Sequence, residues 1–169
     1  LLAQAGLPHC FWQYAARTFC FLWNRTTYRD LAGSPHMRKT NTPPSEGQMQ
    51  SLIPFGSAIE FRTAETAGRD KLEQRVIDGI LLGYREHDGA KWNGEYICMS
   101  LKDIAECPLH REASASEYHQ CRIHVTRRAV QSDPPVFPLL KRARHENASI
   151  EGLQGLSPEG NGNPFLHPS

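Results

Sequence analysis

The sequence predicts a mostly β fold, a small barrel or sandwich over residues 54–130, led by a helical segment and followed by a disordered tail. Three observations carry this expectation. Apolar and polar residues alternate with period two from Pro54 onward, and glycines punctuate the most apolar run, Val76 to Tyr84. Between two β-rich runs, His87 to Gly94 holds both Asp88-Gly89 and Asn93-Gly94, the dipeptides that favour chain reversal. A chain of 169 residues is long enough to bury one ordinary core.

The elements follow in order. Leu1-Leu2-Ala3-Gln4-Ala5 ahead of Gly6 has the form of a helix ending at a glycine. No upstream residues begin that helix, so the expectation is a chain that starts within an element. From Phe11 to Asn24 the apolar residues Phe11, Trp12, Ala15, Ala16, Phe19, Cys20, Leu22 and Trp23 recur at helical spacing, with Pro8 tolerated near the start. So aromatic a face belongs in a core, because aromatics supply the largest burial per residue. Residues 26–53 are rich in Thr, Ser, Pro and Gly and are expected to be a linker, with Thr42-Pro43 as a possible short helix start.

In the β part, Ile59 and Phe61 should face one way and Glu60 and Arg62 the other. Val76 to Tyr84 forms a second strand whose glycines mark a bulge or bend. Glu95 to Leu101 alternates as a third. Cys121, Ile123 and Val125 alternate with Arg122, His124 and Thr126 as a fourth. Residues 131–169 hold few apolar groups and an excess of Gly, Pro, Asn and Ser, a disordered composition.

Composition narrows the function classes. A net charge of +1 and a pI near 7.9 give no global pull toward polyanions, so any such binding must come from local patches. The five cysteines are odd in number and irregularly spaced, without a signal peptide, and are expected as reduced thiols in an intracellular protein. The apolar runs are too short to cross a membrane.

Among residue sets that carry chemistry, Cys107-Pro-Leu-His110 and Cys121-Arg-Ile-His124 form two Cys-x-x-His pairs of the kind zinc accepts. Against zinc, residues three apart in a strand point to opposite faces, so Cys121 and His124 do not share an ion without a bulge. Buried thiols and surface histidines are the better reading, and no metal or other cofactor is expected. No glycine-rich phosphate loop and no nucleophile elbow is present. The basic residues say more. Arg122, Arg127 and Arg128 crowd the last strand and its end, with Lys91 and Trp92 in the hairpin loop. These residues are the candidate backbone-binding surface for nucleic acid. Lys141-Arg142-Ala143-Arg144 adds charge on the expected flexible extension and matches a short nuclear-import pattern.

Several blocks together resemble one family. AGLPHCFWQYAARTFCFLWNR, Ala5 to Arg25, resembles the end of the integrase core in copia-type retrotransposon polyproteins, where A-G-L-P, F-W and N-R sequences lie on helices that close an RNase H-like fold. PFGSAIEF, Pro54 to Phe61, KLEQRVIDGILLGY, Lys71 to Tyr84, and WNGEY, Trp92 to Tyr96, are similar to strand blocks of the SH3-like domain that follows that core. The family's T-P-x-E helix start is altered here to Thr42-Pro43-Pro44-Ser45-Glu46. The resemblance implies a piece of a Pol polyprotein: helices ending the integrase core at 1–25, a linker at 26–53, an SH3-like barrel at 54–130 and a tail. The family's metal-binding Asp, Asp and Glu match no position of this chain, so the resemblance implies a non-catalytic part. Its partners would be DNA, bound weakly and without sequence preference, or neighbouring integrase subunits. Its location would be the nucleus or a cytoplasmic virus-like particle. A domesticated remnant serving as a protein-interaction module and a small zinc-binding domain are the alternatives.

Overall fold

The computed structural model describes residues 1–26, 33–63 and 76–154. The Lys71–Arg75 part of the family-like block and the last stretch of the expected tail, 155–169, lie outside the described residues. The fold is mixed α/β, with more helix than the sequence predicts. Its centre is a five-stranded antiparallel sheet in the order β4-β3-β2-β1-β5. The strands are β1 Ala58–Arg62, β2 Val76–His87, β3 Lys91–Ser100, β4 Ile123–Thr126 and β5 Ala129–Gln131.

The alternation in β1 is as expected, with Ile59 and Phe61 buried and Glu60 and Arg62 exposed. The reversal between β2 and β3 falls on Asp88-Gly89-Ala90, where Gly89 and Ala90 both take left-handed backbone angles. Gly94, the other candidate, lies inside β3. In β4 the apolar residues face the wrong way for a core strand. Ile123 and Val125 pair with Met99 and Ile97, but on an edge strand they stay exposed, while Thr126 is buried. Cys121 precedes this strand instead of lying in it.

Apolar side chains collect on both faces of the sheet. One cluster holds Ile80, Leu82 and Met99 with Ala5, Phe11, Ala15, Ile104, Leu109 and Leu139. The other holds Ile59, Phe61, Leu81 and Cys98 with Phe21, Ile53, Tyr84, Trp92 and Tyr96. The first cluster draws on the amino-terminal helices α1, Leu2–Ala5, and α2, Trp12–Arg25, and the second on α2 alone. α1 ends at Gly6 in the left-handed conformation, as its sequence predicts. The partner of the aromatic helix, not evident from sequence, is therefore the sheet itself. Phe21 stacks on Tyr84 at 4.0 Å and meets Trp92 edge-on at 5.4 Å. Arg25 is buried at the helix end. Its guanidinium lies 3.6 Å over the Phe21 ring, pairs with Glu86 at 3.3 Å and donates to the carbonyl of Ala90. Burial lowers the pKa of this arginine and Glu86 opposes the shift, so the group remains a cation.

α2 meets β2 at a bulge. Leu81 pairs with Cys98 and Gly83 with Ile97, leaving Leu82 without a ladder partner. The buried hydroxyl of Thr18 donates to the Leu82 carbonyl at 3.1 Å, across 64 positions of sequence. The approach is close: a methyl group on Gly83 would stand 2.5 Å from Thr18 Oγ1, and Gly83 has a φ of +149°.

The segment expected as a linker is structured where it is described. α3, Pro35–Thr40, begins at Ser34 with proline in its first turn, and α4, Glu46–Gln50, begins with a reciprocal capping box between Ser45 and Gln48. The Thr42-Pro43 start is not used. Two tyrosines of the sheet pin the chain that leaves α4. The Tyr84 hydroxyl donates to the Ile53 carbonyl and accepts from the Ile53 amide, while Tyr96 donates to the Ser51 carbonyl. Burial raises the pKa of Tyr84, which keeps its donor protonated at ordinary pH.

The expected disorder is corrected for the described part of the tail, residues 132–154. Leu140–Gln154 forms α6, which docks on the segment after the short helix α5, Leu101–Ile104. Arg142 donates to the carbonyls of Ala105, Ile104 and Cys107, and Glu146 accepts from the Leu109 amide. Leu139 and Ala143 are buried in the first cluster. The polar composition of this helix hides a docking face built from hydrogen bonds to backbone.

Two stability predictions follow from this packing. Leu82 is fully buried, and Leu82→Ala should cost about 2–5 kcal/mol in chemical denaturation. Gly83→Ala should destabilise by at least about 1 kcal/mol through backbone strain and contact with Thr18. The same change should cost less in a Thr18→Ala background, where the clashing oxygen is gone. Equal cost in both backgrounds would contradict the close approach.

Candidate nucleic-acid interface

The charged candidates sit where β4 passes into β5. These strands lie on opposite edges of the sheet, one beside β3 and the other beside β1, yet only Arg127 and Arg128 separate them in sequence. The crossing is held at Thr126, whose hydroxyl donates to the Arg62 carbonyl at 2.7 Å and accepts from the Arg128 amide at 3.1 Å. The Arg62 amide in turn donates to the Arg128 carbonyl. Backbone hydrogen bonds thus fix Arg62 and Arg128 as neighbours, and both residues are exposed.

Beside them a second irregularity in the β2–β3 ladder, between Tyr84 and Glu86, leaves Arg85 outside the register. Glu95 on β3 lies between the arginines of the adjoining strands. Its carboxylate meets Arg127 at 3.0 Å, His87 Nε2 at 2.9 Å and Arg85 at 3.8 Å. Only 14% of the Glu95 side chain is exposed, against 68% for Arg127. One carboxylate serves two arginines, so the row across β2, β3 and β4 keeps an excess of positive charge facing solvent. The His87 hydrogen bond, with Arg127 next, holds the Glu95 carboxyl below the ordinary carboxylate range.

The sequence-predicted residues divide on this surface. Arg127 and Arg128 belong to it. Lys91 is exposed at the start of β3, opposite His87 in register. Arg122 does not join them. It lies at the other end of β4, about 17 Å away at strand spacing, where its amide donates to Asp103. Trp92 is corrected. It is 5% exposed, donates Nε1–H to the Glu95 carbonyl and packs edge-on against Phe21, Tyr84 and Tyr96, so it offers no face to a base. On α6, Lys141 and Arg144 are exposed, but Arg142 is occupied by the carbonyls after α5. Arg62, Arg85, His87 and Glu95 were missed from sequence. Period two puts Glu95 on the side of Ile97 and Met99 and Arg127 on the side of Ile123 and Val125, so alternation marks neither as a surface charge, and which carboxylate meets which arginine depends on strand order.

Elsewhere the surface is less suited to a polyanion. A cleft of about 320 Å³ beside β1, β2 and β5 is lined by Glu60 and Asp78, which oppose one another directly across β1 and β2 and repel phosphate. The two Cys-x-x-His pairs do not assemble as a zinc set. Cys107 and Cys121 meet, but His124 packs against the Phe61 ring, and no group of three or more metal-binding side chains is placed to hold an ion among the described residues. No helix among the described residues is long and apolar enough to cross a membrane. No protein-family model, curated protein or solved structure matches the chain.

The depressed carboxyl has a testable sign. Glu95 should titrate below the ordinary glutamate value of about 4.3 in a carbon-detected NMR titration. Its contribution to stability should be complete above that value and lost as pH falls through the lower folded one. Arg127→Gln should move the Glu95 midpoint upward. An unchanged midpoint would break the assigned pairing.

Proposed function

We propose that this chain is the carboxy-terminal region of a copia-type integrase, and that its sheet is an SH3-like module supporting DNA integration by holding nucleic acid backbone. The reading rests on the family-like blocks, whose described residues fall on successive packed elements: Ala5–Arg25 on α1 and α2, Pro54–Phe61 leading into β1, Val76–Tyr84 on β2 and Trp92–Tyr96 on β3. An SH3-like closure is favoured by the two-residue crossing that carries the chain from one sheet edge to the other. The observation that carries the binding role is a set of four exposed arginines: Arg85 and Arg127 share the Glu95 carboxylate, and Arg62 and Arg128 are held as neighbours by backbone hydrogen bonds at the Thr126 crossing.

Such a row neutralises a few phosphates and includes no element shaped to read base edges, so binding is weak and indifferent to sequence. The chain contributes binding and positioning, while catalysis belongs to the metal-binding carboxylates of the parent integrase. It acts in the nucleus or in a cytoplasmic virus-like particle. A second reading, a protein-interaction module that contacts integrase subunits or another partner, is favoured by one observation. Trp12, Phe19 and Trp23 recur on one side of α2 and are 60%, 52% and 47% exposed.

Fluorescence anisotropy of a labelled duplex across a salt series tests the nucleic-acid reading. Affinity should fall steeply with salt, and Arg127→Gln with Arg128→Gln should reduce the log–log slope by about 1–2. Glu95→Gln should act oppositely, tightening binding, because it frees two arginines from their shared carboxylate. Binding that ignores salt and all three substitutions would reject the nucleic-acid role and leave the protein-interaction reading.

A further inference from the structure

Outside the charged row, the least expected side-chain arrangement is a pair of thiols. Cys107 Sγ and Cys121 Sγ lie 3.5 Å apart, in van der Waals contact. Both thiols point at the same backbone group, the Asp103 carbonyl, at 3.6 and 3.3 Å. The Cys107 thiol also reaches the Glu117 carbonyl at 3.5 Å. The two cysteines are 14 positions apart, and the loop between them is folded back by the Tyr118 hydroxyl, which donates to the Pro108 carbonyl, and by a capping box at Ser114 and Glu117. Phe11 braces this loop, meeting Tyr118 edge-on at 4.9 Å. Cys107 is buried and Cys121 is partly exposed, so a small reagent can reach one sulfur of the pair.

We propose that Cys107 and Cys121 are a redox pair that closes to an intramolecular disulfide under hydrogen peroxide. In the first step one sulfur, as thiolate, attacks a peroxide oxygen. An S–O bond forms, the O–O bond breaks, and the departing hydroxide takes up the thiol's proton as water. The second sulfur then attacks the sulfenic sulfur. The S–S bond forms, the S–O bond breaks, and hydroxide leaves with the second thiol proton as another water. Two thiols and one peroxide give one disulfide and two waters, with two electrons passing from sulfur to oxygen.

The sulfurs need to approach by only about 1.5 Å to reach bonding distance. Burial, with the Cys107 thiol beside it, pushes the Cys121 thiol up to about 12. Attack by the Cys121 sulfur is therefore slow at neutral pH. The link would tie the end of α5 to the entry of β4. Arg142 of α6 already holds the carbonyls of Ile104, Ala105 and Cys107 on that segment, so the disulfide would also fix the platform on which α6 docks.

The full chain is treated with hydrogen peroxide for several hours, alkylated, and digested without reductant for mass spectrometry. A parallel sample is oxidised in urea. The expected product is one linked peptide joining Cys107 to Cys121, two hydrogens lighter than the pair, formed in the folded sample and reversed by dithiothreitol. The oxidised protein should melt roughly 5–10 °C higher, as closing a loop of this length restrains the unfolded chain. Cys121→Ser should abolish the linked peptide and the rise in melting temperature. Oxidation confined to Cys10 or Cys20, with Cys107 and Cys121 alkylated as free thiols, would overturn the proposal. So would a linked pair that forms only in urea, or one that joins Cys121 to Cys10.

Discussion

Helix and sheet are joined at one unpaired residue. Leu82 has no partner in the β2–β3 ladder, and a buried carbonyl without a hydrogen bond costs on the order of 1–3 kcal/mol. Thr18 of α2 supplies the missing donor, and it reaches the strand because residue 83 is a glycine. Once α2 lies this close, its neighbours find their places. Ala15 enters one apolar cluster and Phe21 the other, and Arg25 closes on Glu86 near the β2–β3 turn. The same bulge turns β2 so that Tyr84 can pin the chain leading into β1 through both polar groups of Ile53. The charged row depends on this order too. Its hairpin is held from one side by the Phe21–Tyr84–Trp92–Tyr96 aromatic cluster and presents Arg85 and Glu95 on the other.

Much of the sheet was legible in the sequence because the strands obey period two and the turns carry their own chemistry. Ile59 and Phe61, the Val76–Tyr84 run and the reversal near Asp88-Gly89 are all local signals. β4 misled because alternation indicates which side a residue takes and says nothing about whether that side is covered. Ile123 and Val125 alternate correctly, then meet solvent at the sheet edge. The two helices between residues 34 and 50 announce themselves through Ser34-Pro35 and Ser45 with Gln48, caps that a Pro- and Gly-rich composition obscured. α6 has no comparable signal. Its attachment runs through Arg142 and Glu146 to backbone groups some 35 to 38 positions earlier, and hydropathy does not register such bonds.

The candidate interface was legible in part for a similar reason. Arg127 and Arg128 are adjacent in sequence and remain so in space. Arg122 follows the same basic pattern, yet five residues of extended chain carry it away from them. Trp92 looked like an exposed loop aromatic, but its indole fills a gap among Phe21, Tyr84 and Tyr96. Glu95 carries no local sign of its pairing, because its three basic neighbours come from separate positions on β2 and beyond β4. Charge counting along the chain therefore understated the local positive excess. Only strand order reveals that a single acid balances two arginines.

α2 and the sheet should unfold as one cooperative unit instead of a helix resting beside an independent sheet. Native-state hydrogen exchange across a denaturant series tests it most directly, residue by residue. The amides of Ala15 to Phe21 and of Ile80 to Tyr84 should open with one shared free energy and one shared denaturant dependence. Helix amides that exchange at much lower free energy, with little response to denaturant while the strand stays protected, would contradict it.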